Sequence, residues 1–221
     1  MKKYKGIIFD LDGTLLDTIE DLTDSVNDVM KHYHFPEHDV QACKMMVGNG
    51  FRKLITRALP EEKQRDEAFI DEAQAEFAKA YHKRYLNKTI PYEGIMELLK
   101  QLEKHGIKVA INSNKRSDYT QALADKFFKD QKLTAVYGER ESEGIPKKPD
   151  PTAALEIACQ MNLSEKEVLY IGDSKTDMET GLNAGMDTIG VAWGFRGAAE
   201  LRQNHATYIV EKPEEILGYV L

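Results

Sequence analysis

The chain has 221 residues, and 30 Lys+Arg against 37 Asp+Glu give it a formal charge of −7. That length suits one large domain or one domain with a modest insertion, and 42 % apolar with 30 % charged residues excludes a disordered or collagen-like chain. The acidic balance argues against a broad grip on nucleic acid or an anionic membrane, while leaving small anionic substrates open, because those answer to local charge.

In chain order, the first predicted strand is Gly6–Phe9, a short apolar run ending at Asp10. From about Asp17 to Thr89 the pattern turns helical. Ile19, Leu22, Val26, Val29 and Tyr33 fall three or four apart, as one helix face requires. Residues 51–59 read as another helix. Phe69, Ala73, Phe77, Tyr81 and Tyr85 recur every four residues, an aromatic stripe suited to core packing. Pro91 and Gly94 mark the return to an alternating pattern. Strands are then expected at Lys108–Ile111, Ala135–Tyr137, Val168–Ile171, Thr188–Val191 and Tyr208–Val210. Helices are expected at about 93–105, 117–128, 151–161 and 175–184, and the run Glu139-Arg140-Glu141-Ser142-Glu143 reads as a solvated loop. Strands alternating with helices predict an α/β fold, a doubly wound parallel sheet covered on both faces. The sheet would be built from residues 1–16 and 90–221, with 17–89 as an all-helical insert.

No apolar run approaches the ~18 residues that a membrane span needs. The basic start Met1-Lys2-Lys3-Tyr4-Lys5 is followed by only Ile7-Ile8-Phe9 before Asp10, too little for a signal peptide. Cys43 and Cys159 fit no metal-ligand or redox spacing, and Cys159, in an apolar stretch, reads as a buried thiol. A cytoplasmic protein is expected.

Ligands of an open parallel sheet bind beyond the carboxyl ends of its strands. Four such ends carry chemistry. The first strand delivers Asp10-Leu11-Asp12-Gly13-Thr14, where paired carboxylates can hold a cation and attack, and the N–H groups of Gly13 and Thr14 can meet an anion. After Ile111 comes Asn112-Ser113-Asn114-Lys115, where the Ser113 hydroxyl and the Asn114 N–H suit a phosphoryl oxygen. Lys147-Lys148-Pro149-Asp150-Pro151 can hold the Lys148 ammonium beside rigid backbone. Gly172-Asp173-Ser174-Lys175-Thr176-Asp177 supplies a second pair of acids for a hard cation. As a set, Asp10, Asp12, Asp173 and Asp177 bring four negative charges and a phosphate monoester about two more. Lys148 and one Mg²⁺ offset three, and a proton on Asp12 a fourth, which makes a metal nearly obligatory.

These four motifs, in this order, resemble those of the haloacid dehalogenase superfamily in its phosphatase branch, and the helical insert resembles that family's class 1 cap. Val47-Gly48-Asn49-Gly50, Arg57-Ala58-Leu59, Asn114-Lys115 and Val191-Ala192-Trp193-Gly194 are similar to phosphoglycolate phosphatases and their relatives. Departures from that subgroup are Ser113 for a frequent Thr, Arg116 for Pro and Gly181 for Ala. The resemblance implies a Rossmann-like core and hydrolysis of a phosphate monoester through an aspartyl-phosphate. Asp10 would be the nucleophile and Asp12 the acid and then the base. It also implies Mg²⁺ bound by Asp10, the Asp12 carbonyl and Asp173, with Asp177 orienting the shell, and phosphoryl oxygens met by Ser113, Asn114 and Lys148.

The substrate expected is a small phosphorylated metabolite, with 2-phosphoglycolate as the first candidate. Its carboxylate would meet the turn Gly48-Asn49-Gly50 at a helix start, with Arg52 adding charge if it faces inward. A phosphomutase or pyrophosphatase of the same superfamily would carry the same motifs. A signalling receiver domain, the alternative from another class, needs only ~120 residues and places its phospho-acceptor on a later strand than its acidic pair.

Overall fold

The computed structural model describes residues 4–221; Met1–Lys3, which carry most of the basic start, lie outside the described residues. In chain order the elements are β1 Gly6–Phe9, β2 Leu16–Asp17, α1 Ile19–His32, α2 Val40–Met46, α3 Gly50–Ala58, α4 Glu67–His82, β3 Ile90–Pro91, α5 Ile95–Lys104 and β4 Lys108–Arg116. There follow α6 Ser117–Phe127, β5 Leu133–Glu139, α7 Thr152–Gln160, β6 Val168–Gly172, α8 Lys175–Asn183, β7 Asp187–Val191, α9 Gly197–Gln203, β8 Tyr208–Val210 and α10 Leu217–Val220. Among the described residues, no helix is long and apolar enough to cross a membrane.

The chain divides into two compact units, one made of residues up to Leu16 with Pro91–Leu221, the other of Asp17–Ile90. In the first, six strands form one parallel sheet in the order β5-β4-β1-β6-β7-β8. The expected α/β fold is the one observed. β1 is buried throughout, and Ile7, Ile8 and Phe9 are wholly inside, as a strand covered on both faces must be. Its neighbours are β4 on one side and β6 on the other, so the chain changes direction across the sheet at β1. That reversal opens a crevice beyond its carboxyl end. The chain leaves this unit after Leu15 and returns by Tyr92, whose N–H donates to the Leu15 carbonyl at 3.1 Å.

β4 is longer than its apolar run suggests, because Asn112–Arg116 continue the pairing with β5 through a register shift. The shift is packed against Gly138, where a Cβ would lie 2.7 Å from the Lys115 carbonyl oxygen. Cys159 is exposed, a correction to the buried thiol expected from its apolar neighbours. α7 buries Ala153, Ala154, Ile157 and Ala158, and the next position along turns away from that face.

The second unit is helical, apart from the half of β2 and of β3 that falls in it. α1 buries Ile19, Leu22, Val26 and Val29, and α4 buries Ile70, Ala73, Phe77 and Tyr81. The aromatic stripe is core: Phe51 meets Phe77 and Tyr81 edge-on, with ring centres 4.8 and 5.2 Å away. Tyr85 lies beyond the end of α4. Buried Asp21 on α1 accepts from the backbone N–H groups of Lys88 and Thr89 and from the Thr89 hydroxyl, at 2.8–3.2 Å.

Candidate active site

The acids that follow β1 and β6 and the lysine of the loop before α7 converge beyond the carboxyl end of the sheet. The Lys148 ammonium, buried, donates to Asp10 Oδ1 at 2.8 Å and to Asp177 Oδ1 at 2.7 Å. Its own position is set by Asn114, whose side chain accepts from the Lys148 N–H at 2.8 Å and donates to the Lys148 carbonyl at 3.1 Å. Sequence reasoning assigned Asn114 a backbone role and missed this side-chain clamp across 34 positions.

Asp10, Asp173 and Asp177 are buried, with one carboxylate oxygen of each within 4.8 Å of the others. Burial is the main reason that the Asp10 carboxyl is pushed up to about 7; Asp177 and Asp12 add to the rise and Lys148 opposes it. Asp173 is held well above the usual carboxylate range by burial first, then by Asp177 and Asp10. Burial also works against the Lys148 charge, but Asp10 and Asp177 outweigh it and keep the ammonium protonated. One lysine does not balance three buried acids. The cluster, whose donors are all oxygens, fits a hard divalent cation.

Neighbouring backbone fixes each acid. Asp177 Oδ2 accepts from the Ser174 N–H and hydroxyl at 3.1 and 2.6 Å, so both of its oxygens are engaged. Asp173 Oδ2 accepts from the Phe195 N–H at 2.6 Å. Space is as tightly allotted: a Cβ on Gly13 or Gly194 would run into the Asp173 side chain, and one on Gly172 into Asp177. The loop after β7 thus belongs to the site, and Trp193 in it donates its indole N–H to the Thr14 carbonyl at 3.1 Å.

Several other groups singled out in the sequence have partners within the protein. The N–H groups of Gly13 and Thr14 already have partners in the protein. They donate to Leu16 and Leu11 carbonyls at 2.9 and 3.3 Å, because the loop after β1 closes on itself as a turn. The Arg52 guanidinium pairs with Glu67 and Asp71 at the start of α4. Asn49 caps no helix with its side chain, since Arg57 donates to its Oδ1 at 2.7 Å and to the Met46 carbonyl at 2.6 Å. Gly48 at φ +118° and Gly50 at φ +82° complete that turn within the helical unit.

Ser113 is buried on β4, its oxygen accepting from the Lys115 N–H at 3.2 Å. Asp12, little exposed, is met by a residue that sequence reasoning passed over. Lys115 donates to both carboxylate oxygens, at 2.9 and 3.0 Å. No spacing rule links positions 103 apart; the only signal was a second lysine at the end of the adjacent strand.

The model of the haloacid dehalogenase-like hydrolase family matches residues 7–191. A phosphoglycolate phosphatase of Psychrobacter arcticus is 32 % identical, covering 97 % of this chain and 95 % of that relative. One of Haemophilus influenzae is 26 % identical over 98 % of each chain. Among solved structures, a Lactobacillus delbrueckii subsp. bulgaricus protein, provisionally named a phosphoglycolate phosphatase, superposes with a TM-score of 0.91 at 31 % identity over 99 % of each chain. Sheet, buried acids and relatives agree: the chain belongs to the haloacid dehalogenase-like hydrolase family and is a phosphoric monoester hydrolase.

Proposed function

We propose that the chain is a Mg²⁺-dependent phosphatase that works through an aspartyl-phosphate on Asp10, with a small phosphorylated acid as substrate and 2-phosphoglycolate as the first candidate. The observation that carries this reading is the buried trio Asp10, Asp173 and Asp177 around a single ammonium at the switch point of the sheet. Asp10 and Asp173, with the Asp12 carbonyl, would hold the Mg²⁺. The bound ion supplies charge neutralisation at the phosphoryl oxygens. Asp177, with both oxygens engaged, holds Lys148 and orients what surrounds the ion.

An Asp10 oxygen attacks phosphorus in line while the bond to the leaving oxygen breaks, and Asp12 gives that oxygen its proton. Asp12, now a carboxylate, takes a proton from water as the water attacks the phospho-aspartate, releasing phosphate and restoring Asp10. Lys148, Ser113 and the Asn114 N–H meet phosphoryl oxygens as charge shifts. Residues 17–89 would act as the cap that chooses the substrate. With Arg52 committed to Glu67 and Asp71, the carboxylate would meet the Gly48-Asn49-Gly50 turn, which Arg57 braces. The two free thiols suit a reducing cytoplasm.

The test is release of inorganic phosphate from a panel that includes 2-phosphoglycolate, ethyl phosphate, sugar phosphates, nucleotides and pyrophosphate, with Mg²⁺ and with chelator. Mg²⁺-dependent release favouring 2-phosphoglycolate over ethyl phosphate is expected. Equal efficiency on those two esters would remove the carboxylate from the reading, and transfer to a second sugar hydroxyl without free phosphate would replace the phosphatase by a mutase.

A further inference from the structure

Lys115 takes no part in the four-motif chemistry above, yet its side chain is 1 % exposed and grips both oxygens of Asp12. A lysine is seldom taken so far from water without a specific partner. Its backbone is held in place as well: the Lys115 N–H donates to Ser113 Oγ, and its carbonyl accepts from the Thr120 hydroxyl at 3.3 Å. The shifted register of β4 beside Gly138 makes room for that course of the chain.

We propose that Lys115 is a positioning residue for the reaction, holding the Asp12 carboxyl in the one orientation from which it can exchange a proton with the leaving oxygen and then with water. This rests on the reading of Asp12 as acid and base. A carboxyl on a loop can turn about two side-chain bonds, whereas one held by both oxygens has a single setting. Proton transfer needs heavy atoms within about 3 Å, so a setting fixed in advance raises the fraction of encounters that react. The two buried lysines divide the work, Lys148 serving Asp10 and Asp177 and Lys115 serving Asp12.

A purely structural ion pair would behave differently. Lys115→Met, Asp12→Asn and the double variant are to be compared on ethyl phosphate and on 4-nitrophenyl phosphate, whose leaving group needs no proton. Expected for Lys115→Met is a kcat about 100-fold lower on ethyl phosphate, at most about tenfold lower on the aryl ester, and a KM within about threefold on both. In the Asp12→Asn background the same change should alter kcat by less than about threefold, because what Lys115 positions is gone. Losses that multiply in the double variant, an equal loss on both esters, or a raised KM at unchanged kcat would each overturn the proposal. Lys115→Arg keeps the charge in the pair and serves if the Met variant fails to fold. It should lower kcat more on ethyl phosphate than on the aryl ester, and equal loss would again overturn the idea. If Asp12→Asn itself shows no dependence on the leaving group, the reading of Asp12 as acid fails instead.

Discussion

Trp193 Nε1 donates to the carbonyl of Thr14 at 3.1 Å, joining the loop after β7 to the loop after β1. Gly13 and Gly194 also crowd the same Asp173 side chain, so the two loops share one setting. Trp193→Phe keeps the ring and deletes the bond, which should cost about 1 kcal/mol. Thermal unfolding should shift down by about 2–4 °C. The kcat should fall several-fold with little change in KM, because the loop that carries Asp10 and Asp12 loses a tether. Unchanged kcat would make the bond a matter of stability alone.

Asp10→Asn should abolish turnover while leaving the fold intact. An amide is no nucleophile, yet it fills the same volume and relieves a crowded negative charge, and Lys148 keeps Asp177 as its partner. The measurement is phosphate release beside a melting curve, with deamidation excluded by mass. Activity within tenfold of the parent would end the covalent mechanism.

Mg²⁺ should raise the melting temperature of the parent protein. A ligand that binds only the folded state at about 100 times its Kd adds about 2.7 kcal/mol. The rise should be absent in Asp173→Asn, which removes a carboxylate that burial and its acidic neighbours already disfavour as an anion. That variant, free of metal, should melt no lower than the metal-free parent. A rise of equal size in both would place the ion elsewhere.

Glu167, at the edge of the α/β unit, gives a pH test remote from the active site. Lys5 at 2.6 Å, then the N–H and hydroxyl of Ser164, lower its carboxyl from 4.5 to about 2. A carboxyl depressed by folding stabilises the fold above its unfolded value, and that contribution is lost as pH falls through the folded one. Glu167→Gln should therefore melt below the parent by a constant margin from pH 7 to 5. The margin should narrow between about 4.5 and 2, and salt should shrink it. A margin independent of pH would assign the effect to the Ser164 cap rather than to charge.

What could be read in the sequence was local. Asp10, Ser113 and Asp173 each follow an apolar run within a few residues, so the periodicity that finds the strand also finds the side chain at its end. What could not be read depends on pairing at a distance. Lys115 reaches Asp12 across 103 positions, and Arg52 reaches Glu67 and Asp71 across a turn between helices whose relative angle no pattern specifies. The partners of the Gly13 and Thr14 N–H groups were hidden for the opposite reason. A glycine-containing turn that can wrap an anion can as readily wrap its own carbonyls, and here it does. Cys159 shows that an apolar stretch does not say which of its members faces inward when the helix is followed by solvent on one side.

The bond from Tyr92 to the Leu15 carbonyl means that the chain leaves the α/β unit and re-enters it at a single point. To the sheet, everything from Asp17 to Ile90 has the topology of a loop with its ends already tied. The entropy of closing a loop rises only slowly with its length, so the catalytic end of the sheet is indifferent to how much chain is spliced in there. Substrate preference can then diverge by exchange of the whole insert as a cassette, while the residues that handle phosphorus stay under separate selection.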